Sequence, residues 1–263
     1  MRMTMNATKA ELACQATLEG WGFPAKRIPR SQSRTPDLVV NDGVHSYLIE
    51  VKTKLDGVDE ICNRRSALVS GDIHEHKGEL EKTNVMSGIV RDASDQLSQF
   101  NEEPVDFRLM WMVVCGLYGD EQWRKLETTL YGIRRILDLD EPSFARQCFF
   151  YTLSDFCRHA AVLDAAIIST EKGHRLCLNS LSARCSLLRS SKLFTLFGEA
   201  VCDPDELEKS GHALVVDCPD LNRRDEIAVM DYLKAKCGRE KLVRLNRFVY
   251  SAETTLRLDD AGQ

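Results

Sequence analysis

The chain has 263 residues, an apolar fraction of 43% and a formal net charge of −5, room for one large domain or a core with an appended one. The acidic balance argues against a protein that coats nucleic acid by bulk electrostatics, although a local basic footprint stays open. No run approaches the roughly twenty apolar residues of a membrane helix, and residues 1–6 lack the apolar stretch of a signal peptide, so a soluble cytoplasmic protein is expected.

The ten cysteines are scattered through apolar segments without a C-x-x-C pair and read as buried reduced thiols, not as disulfides or zinc ligands. The first predicted helix runs from Thr8 to Glu19, because Ala10, Cys14, Thr17, Leu18 and Trp21 recur at helical spacing and Gly20 and Gly22 close the segment. Glu11 falls on its buried stripe. It is also the last residue of Thr8-Lys9-Ala10-Glu11, a capping-box pattern in which it would satisfy the backbone of Thr8, and both readings stand. Lys26, Arg27, Arg30 and Arg34 then cluster in a segment that Pro24 and Pro29 keep extended. They are candidate phosphate contacts, the alternative being an ordinary solvated loop.

Leu38 to Val40 and Tyr47 to Val51 are apolar and partly β-branched, and Asn41-Asp42-Gly43 between them suits a tight turn, so a hairpin is predicted. With Asp42-Gly43 as a two-residue turn, Asp37 lies across from Leu48, and Glu50 is its diagonal neighbour on the same face. Lys52 and Lys54 continue that face, while Ile49 and Val51 occupy the other. Charged side chains converging on one face of apolar strands are costly to bury unless they hold a cation or a substrate, which points to a hard-metal site.

Residues 55–84 read as a charged insertion with a short helix from Val58 to Leu68 and a polar loop holding His74-Glu75-His76, two histidines without a third metal ligand nearby. Met86, Ile89, Val90, Ala93, Leu97 and Phe100 then mark an amphipathic helix. Gln96 lies on the same stripe, either directed inward or at the stripe's edge facing solvent; Gln99 is a second candidate. A strand from Phe107 to Cys115, a helix from Asp120 to Leu137, a strand from Cys148 to Thr152, a short helix from Ser154 to His159 and a strand from Leu163 to Ile168 follow. This order predicts an α/β fold, a mixed sheet flanked by helices, over 1–170. A C-terminal α/β region over 171–263 holds a hairpin near Leu176 to Leu181, a strand at Ala213 to Val216, a helix from Arg224 to Lys236 and a strand from Leu242 to Tyr250. Pro219-Asp220 repeats the Pro-Asp pair, but no E-x-K strand follows it, so it is read as a decoy.

Pro36-Asp37, followed by Glu50-Val51-Lys52 on an apolar strand, resembles the PD-(D/E)XK nuclease superfamily, which includes restriction endonucleases and archaeal-type Holliday-junction resolvases. The resemblance covers about the first hundred residues, by element order as well as motif. It implies a restriction endonuclease-like core and a site in which Asp37, Glu50 and the backbone carbonyl of Val51 ligate Mg2+, with Mn2+ as a substitute and Glu11 in support. Lys52 would orient water or neutralise developing charge, Gln96 would reach toward the site, and Lys54 would touch phosphate. The implied activity is hydrolysis of duplex or branched DNA to 5′-phosphate ends, by a homodimer or with a partner protein, in host defence or restriction. Two rival readings remain: a catalytically silent nuclease-fold module that binds nucleic acid or a partner protein, and an accidental motif whose charges form a surface salt-bridge group.

Overall fold

The computed structural model describes residues 7–29, 35–142, 144–246 and 249–254. Helix α1 (Ala7–Gly20) leads into a short edge strand β1 (Ala25–Arg27), then the hairpin β2 (Leu38–Asn41) and β3 (Ser46–Leu55). The hairpin register is Leu38 opposite Ile49 and Asn41 opposite Ser46. Residues 42–45 therefore form a four-residue loop in place of the expected two-residue turn. Asp42 is the reason: one carboxylate oxygen accepts from the backbone N–H groups of Val44 and His45, at 2.8 and 2.7 Å, and the other from the Tyr47 hydroxyl at 2.7 Å. A buried carboxylate satisfied by its own loop fixes a wider turn than Gly43 alone would. The register moves by two residues, so the face of every side chain is unchanged, but Asp37 now lies level with Glu50 instead of Leu48.

The charged insertion holds α2 (Val58–Val69), one residue longer than the helix expected there, and β4 (His74–Glu79) in place of the expected polar loop, and α3 (Asn84–Gln99) follows. Thr83 caps α3 by accepting from the Met86 N–H. The next strand, β5 (Phe107–Cys115), coincides with its predicted bounds, whereas the helix expected to Leu137 ends early, as α4 (Gly119–Tyr131). Gly132 closes it in the left-handed conformation at φ 61°. Residues 134–138 form a strand, β6 (Arg134–Asp138), paired antiparallel with β7 (Arg146–Phe149). The periodicity of α4 and the apolar run of β6 merge in sequence, and only the glycine separates them.

After α5 (Asp155–Arg158), β8 (Ala165–Thr170) turns into β9 (Gly173–Leu178). Helices α6 (Cys185–Arg189) and α7 (Lys192–Phe197), strand β10 (Val201–Cys202), helix α8 (Pro204–Lys209), strand β11 (Ala213–Val215), helix α9 (Glu226–Cys237) and strands β12 (Leu242–Arg244) and β13 (Val249–Thr254) complete the order. The main sheet is mixed and seven-stranded, β1-β2-β3-β5-β8-β9-β10, and a four-stranded sheet runs β11-β7-β6-β12. A boundary at 170 falls in the β8–β9 hairpin, and each sheet combines strands from both sides of that position. The insertion is tied to the C-terminal end of the described chain, since β4 pairs antiparallel with β13.

Helices cover both faces of the main sheet. Tyr47, Ile49 and Val51 of β3 pack with Ala10, Cys14 and Leu18 of α1. Leu48 on the opposite face packs with Val90, Ala93 and Leu97 of α3. This period-two division sends Glu50 and Lys52 to the α3 side. The structure is thus α/β, a mixed sheet flanked by helices, and among the described residues no helix is long and apolar enough to cross a membrane.

Candidate active site

Strand β2 begins at Leu38 while β3 continues to Leu55, so the hairpin opens beside Asp37. The Ile49 carbonyl accepts from the Asp37 N–H at 3.2 Å, and Val51, two residues on, turns its own N–H and C=O to the same side. There the strand ladder has ended. The Val51 N–H is instead taken by the Asp37 carboxylate at 2.8 Å, which leaves the Val51 carbonyl facing the opening beside that carboxylate.

Glu50 is 2% exposed at its side chain, and its Oε1 accepts from the Lys52 ammonium at 2.5 Å. Lys52 also donates to Gln96 Oε1 of α3 at 2.6 Å. Gln96 Nε2 lies 3.4 Å from the Thr35 carbonyl, so this amide bridges α3 to the segment just before Pro36-Asp37. The arrangement follows from the sheet. Glu50 and Lys52 share a face, and α3 crosses that face with Gln96 beside the buried Ala93 and Leu97. Gln99, the other candidate glutamine, is exposed and takes no part.

Burial pushes the Glu50 carboxyl up to about 8; the nearby Asp37 charge adds to the rise, and Lys52 opposes it. Asp37 is also raised, mainly by burial and further by Glu11, while the Val51 N–H and Lys52 pull the other way. The two carboxyl groups lie side by side, and the Asp37 charge disfavours ionisation of Glu50. Glu50 Oε2 is nevertheless buried without a hydrogen-bond partner. An orphaned buried carboxylate oxygen is costly, and a small divalent cation would remove that cost while reversing the reason for the raised pKa values. Two carboxylates with an adjacent carbonyl form an all-oxygen donor set that suits Mg2+ or Mn2+. The residues present therefore fit such an ion.

Glu11 is placed differently. It is buried on α1, yet on the far face of the sheet from Glu50, and its Oε2 is paired with the Arg27 guanidinium at 2.5 Å. It influences Asp37 through charge, but among the described residues no group of three or more His, Cys, Asp and Glu side chains could hold a metal ion. A ligand role for Glu11 alongside Asp37 and Glu50 is thus not what the geometry gives. Thr8 lies inside α1 instead of capping it, so the capping-box alternative is not formed at that position either.

The basic cluster before Pro36 is only partly in view, since Arg30 and Arg34 lie outside the described residues. Lys26 and Arg27 line a cleft of about 740 Å3 beside β1, but Glu102 and Glu103 line it too, and Arg27 is engaged by Glu11. This cleft contains neither Glu50 nor Lys52. Lys54 is half-buried on the Glu50–Lys52 face, opposite Val114 of β5, and no interaction occupies its ammonium among the described residues.

The His74-Glu75-His76 stretch is a strand, not a loop. His76 bridges Glu121 of α4 and Glu60 of α2, the latter at 2.8 Å, and its ring stacks on Tyr118 at 3.9 Å. His74 bonds the Tyr118 hydroxyl at 2.8 Å. Both histidines therefore clasp the insertion to α4. Sequence reasoning missed the Glu11–Arg27 pair and the Asp37 bond to Val51; neither has a local pattern, because both depend on where β1 and β2 end. Compared with known proteins, the chain matches no protein-family model, and no curated protein sequence matches it significantly.

Proposed function

We propose that the chain is a metal-dependent endonuclease of the PD-(D/E)XK kind, with a restriction endonuclease-like core, that hydrolyses DNA phosphodiester bonds. The observation that carries this reading is the buried Glu50 beside the half-buried Asp37, with one Glu50 oxygen lacking a hydrogen-bond partner and a lysine held directly beside it. A structural salt bridge would not need two carboxylates pushed upward by burial, with Glu50 raised further by the Asp37 charge and Asp37 by that of Glu11.

Asp37, Glu50 and the Val51 carbonyl would hold the ion, Mg2+ or Mn2+, which supplies positive charge against the scissile phosphate and makes water a nucleophile at neutral pH. The chain's own residues do the rest. Lys52, fixed by Glu50 and by Gln96, presents a cation that neutralises charge developing on the phosphate. Gln96 is a positioning residue. Its amide oxygen orients the ammonium, and its link toward Thr35 sets α3 against the segment carrying Asp37. Lys54, further along the same face, contacts a neighbouring phosphate and makes binding salt-dependent. DNA is preferred over RNA by analogy with the resembled superfamily, and a role in host defence or restriction rests on the same analogy.

The test is incubation of the protein with supercoiled, linear, branched and single-stranded DNA and with RNA, in Mg2+ or Mn2+, beside Asp37→Ala and Lys52→Ala. Cleavage that requires the ion and disappears in both variants is expected. Cleavage that survives both substitutions, or binding without cleavage under every condition, would overturn the proposal.

A further inference from the structure

Helix α2 is twelve residues long, about 18 Å. One side is docked on the protein: Leu68 is buried, and Glu60 bonds His76. The opposite side is apolar and bare. Val58 is 75% exposed and Val69 77%, with Ile61 and Cys62 exposed between them. These residues fall at i, i+3, i+4 and i+11, a single stripe turned to solvent. A stripe that would ordinarily face a core is covered by nothing among the described residues.

The helix's own charges indicate what covers it. Asp59 and Glu60 lie in its first turn and Arg65 in its second half, within the stripe; neither Asp59 nor Arg65 is engaged elsewhere among the described residues. A parallel pair of such helices would set acid beside acid. An antiparallel pair sets Asp59 of each copy within reach of Arg65 of the other. It also brings Val58 of each helix opposite Val69 of its mate, and it puts Cys62 near the dyad. We infer that the exposed face of α2 is a self-complementary surface whose partner is a second copy of this chain, paired antiparallel about a twofold axis near the middle of the helix.

A single helix pair is smaller than the roughly 1,600 Å2 of a standard interface, so the dimer is concentration-dependent. Helix α2 begins three residues after the last residue of β3, the strand that carries Glu50 and Lys52. Pairing would thus couple two candidate sites, but the inference does not depend on what those sites do.

Light scattering coupled to size exclusion, over a range of concentrations of the full chain, should show a monomer–dimer equilibrium. A short bismaleimide should join Cys62 to Cys62 of a second copy, and Cys62→Ser should abolish that product. Val58→Lys with Val69→Lys sets like charges opposite each other and should weaken association roughly tenfold or more. Val58→Asp with Val69→Lys sets unlike charges opposite each other and should recover part of that loss. Both pairs lie at exposed positions, so far-UV circular dichroism should stay unchanged. A chain that stays monomeric at every concentration would overturn the inference. So would a dimer indifferent to the double lysine variant, or one in which both double variants behave alike.

Discussion

Replacing Glu50 by glutamine keeps the shape of a buried side chain and removes its ionisation. In the native protein this carboxyl is carried from an ordinary 4.5 to about 8. The folded state therefore holds the proton more tightly than the unfolded chain does, and the sign follows from linkage. The contribution to stability is fully present below about pH 4.5 and is lost as pH rises through about 8. At about 1.4 kcal/mol per unit, the loss has a ceiling of about 5 kcal/mol. Glutamine binds no proton, so the Glu50→Gln protein should lack this decline. In urea denaturation with a chelator present, the gap between wild type and variant should grow in favour of the variant from about pH 5 upward and level off above about pH 8. Saturating Mn2+ should then stabilise wild type at neutral pH, by about 2.7 kcal/mol at a hundredfold excess over Kd, and leave the variant unmoved. Parallel pH curves for the two proteins would mean that Glu50 is not the group whose burial the fold supports at its own expense.

Lys52→Ala should lower metal-dependent cleavage by about 10²- to 10³-fold while leaving Mn2+ binding intact, measured as single-turnover rate against isothermal titration. Gln96→Ala should lower the rate about tenfold with little change in DNA affinity. Gln96→Glu, which keeps an oxygen acceptor for Lys52, should recover part of that loss. Gly132→Ala should destabilise the protein by about 2–4 kcal/mol in urea denaturation, because the position has φ 61° and an added Cβ would lie 2.4 Å from the Thr152 carbonyl oxygen. His76→Ala should release the α2–β4 segment from α4, read as faster amide exchange there without equal change in β5.

Most of what positions the site is local, and local signals survive in sequence. The alternation of Tyr47, Ile49 and Val51 with Leu48, Glu50 and Lys52 assigns faces whatever the turn length, so the two-residue error in register left the Asp37–Glu50–Lys52 grouping intact. The α3 stripe likewise placed Gln96 on the side that crosses β3, and its contact with Lys52 needed only that helix and strand pack. What stayed hidden is long-range. Glu11 read equally well as a ligand or a cap, and only the arrival of Arg27 on β1 decides its partner. The His74-Glu75-His76 part of the insertion looked like loop because its order depends on β13, about 170 residues away, on Glu121 of α4 and on Tyr118 just before that helix. The end of α4 depended on one left-handed glycine in an otherwise continuous apolar pattern.

The proposed activity requires the Asp37–Glu50 pair to be a divalent-cation site, and Mn2+ binding followed by electron paramagnetic resonance reads this directly. Asp37→Asn and Glu50→Gln are compared with wild type at pH values on both sides of about 8. The expected result is one strongly bound ion per chain in wild type, with affinity rising with pH as Glu50 gives up its proton, and loss of that ion in both variants. Binding that is absent from wild type, or unchanged by either substitution, would mean that Asp37 and Glu50 hold no cation.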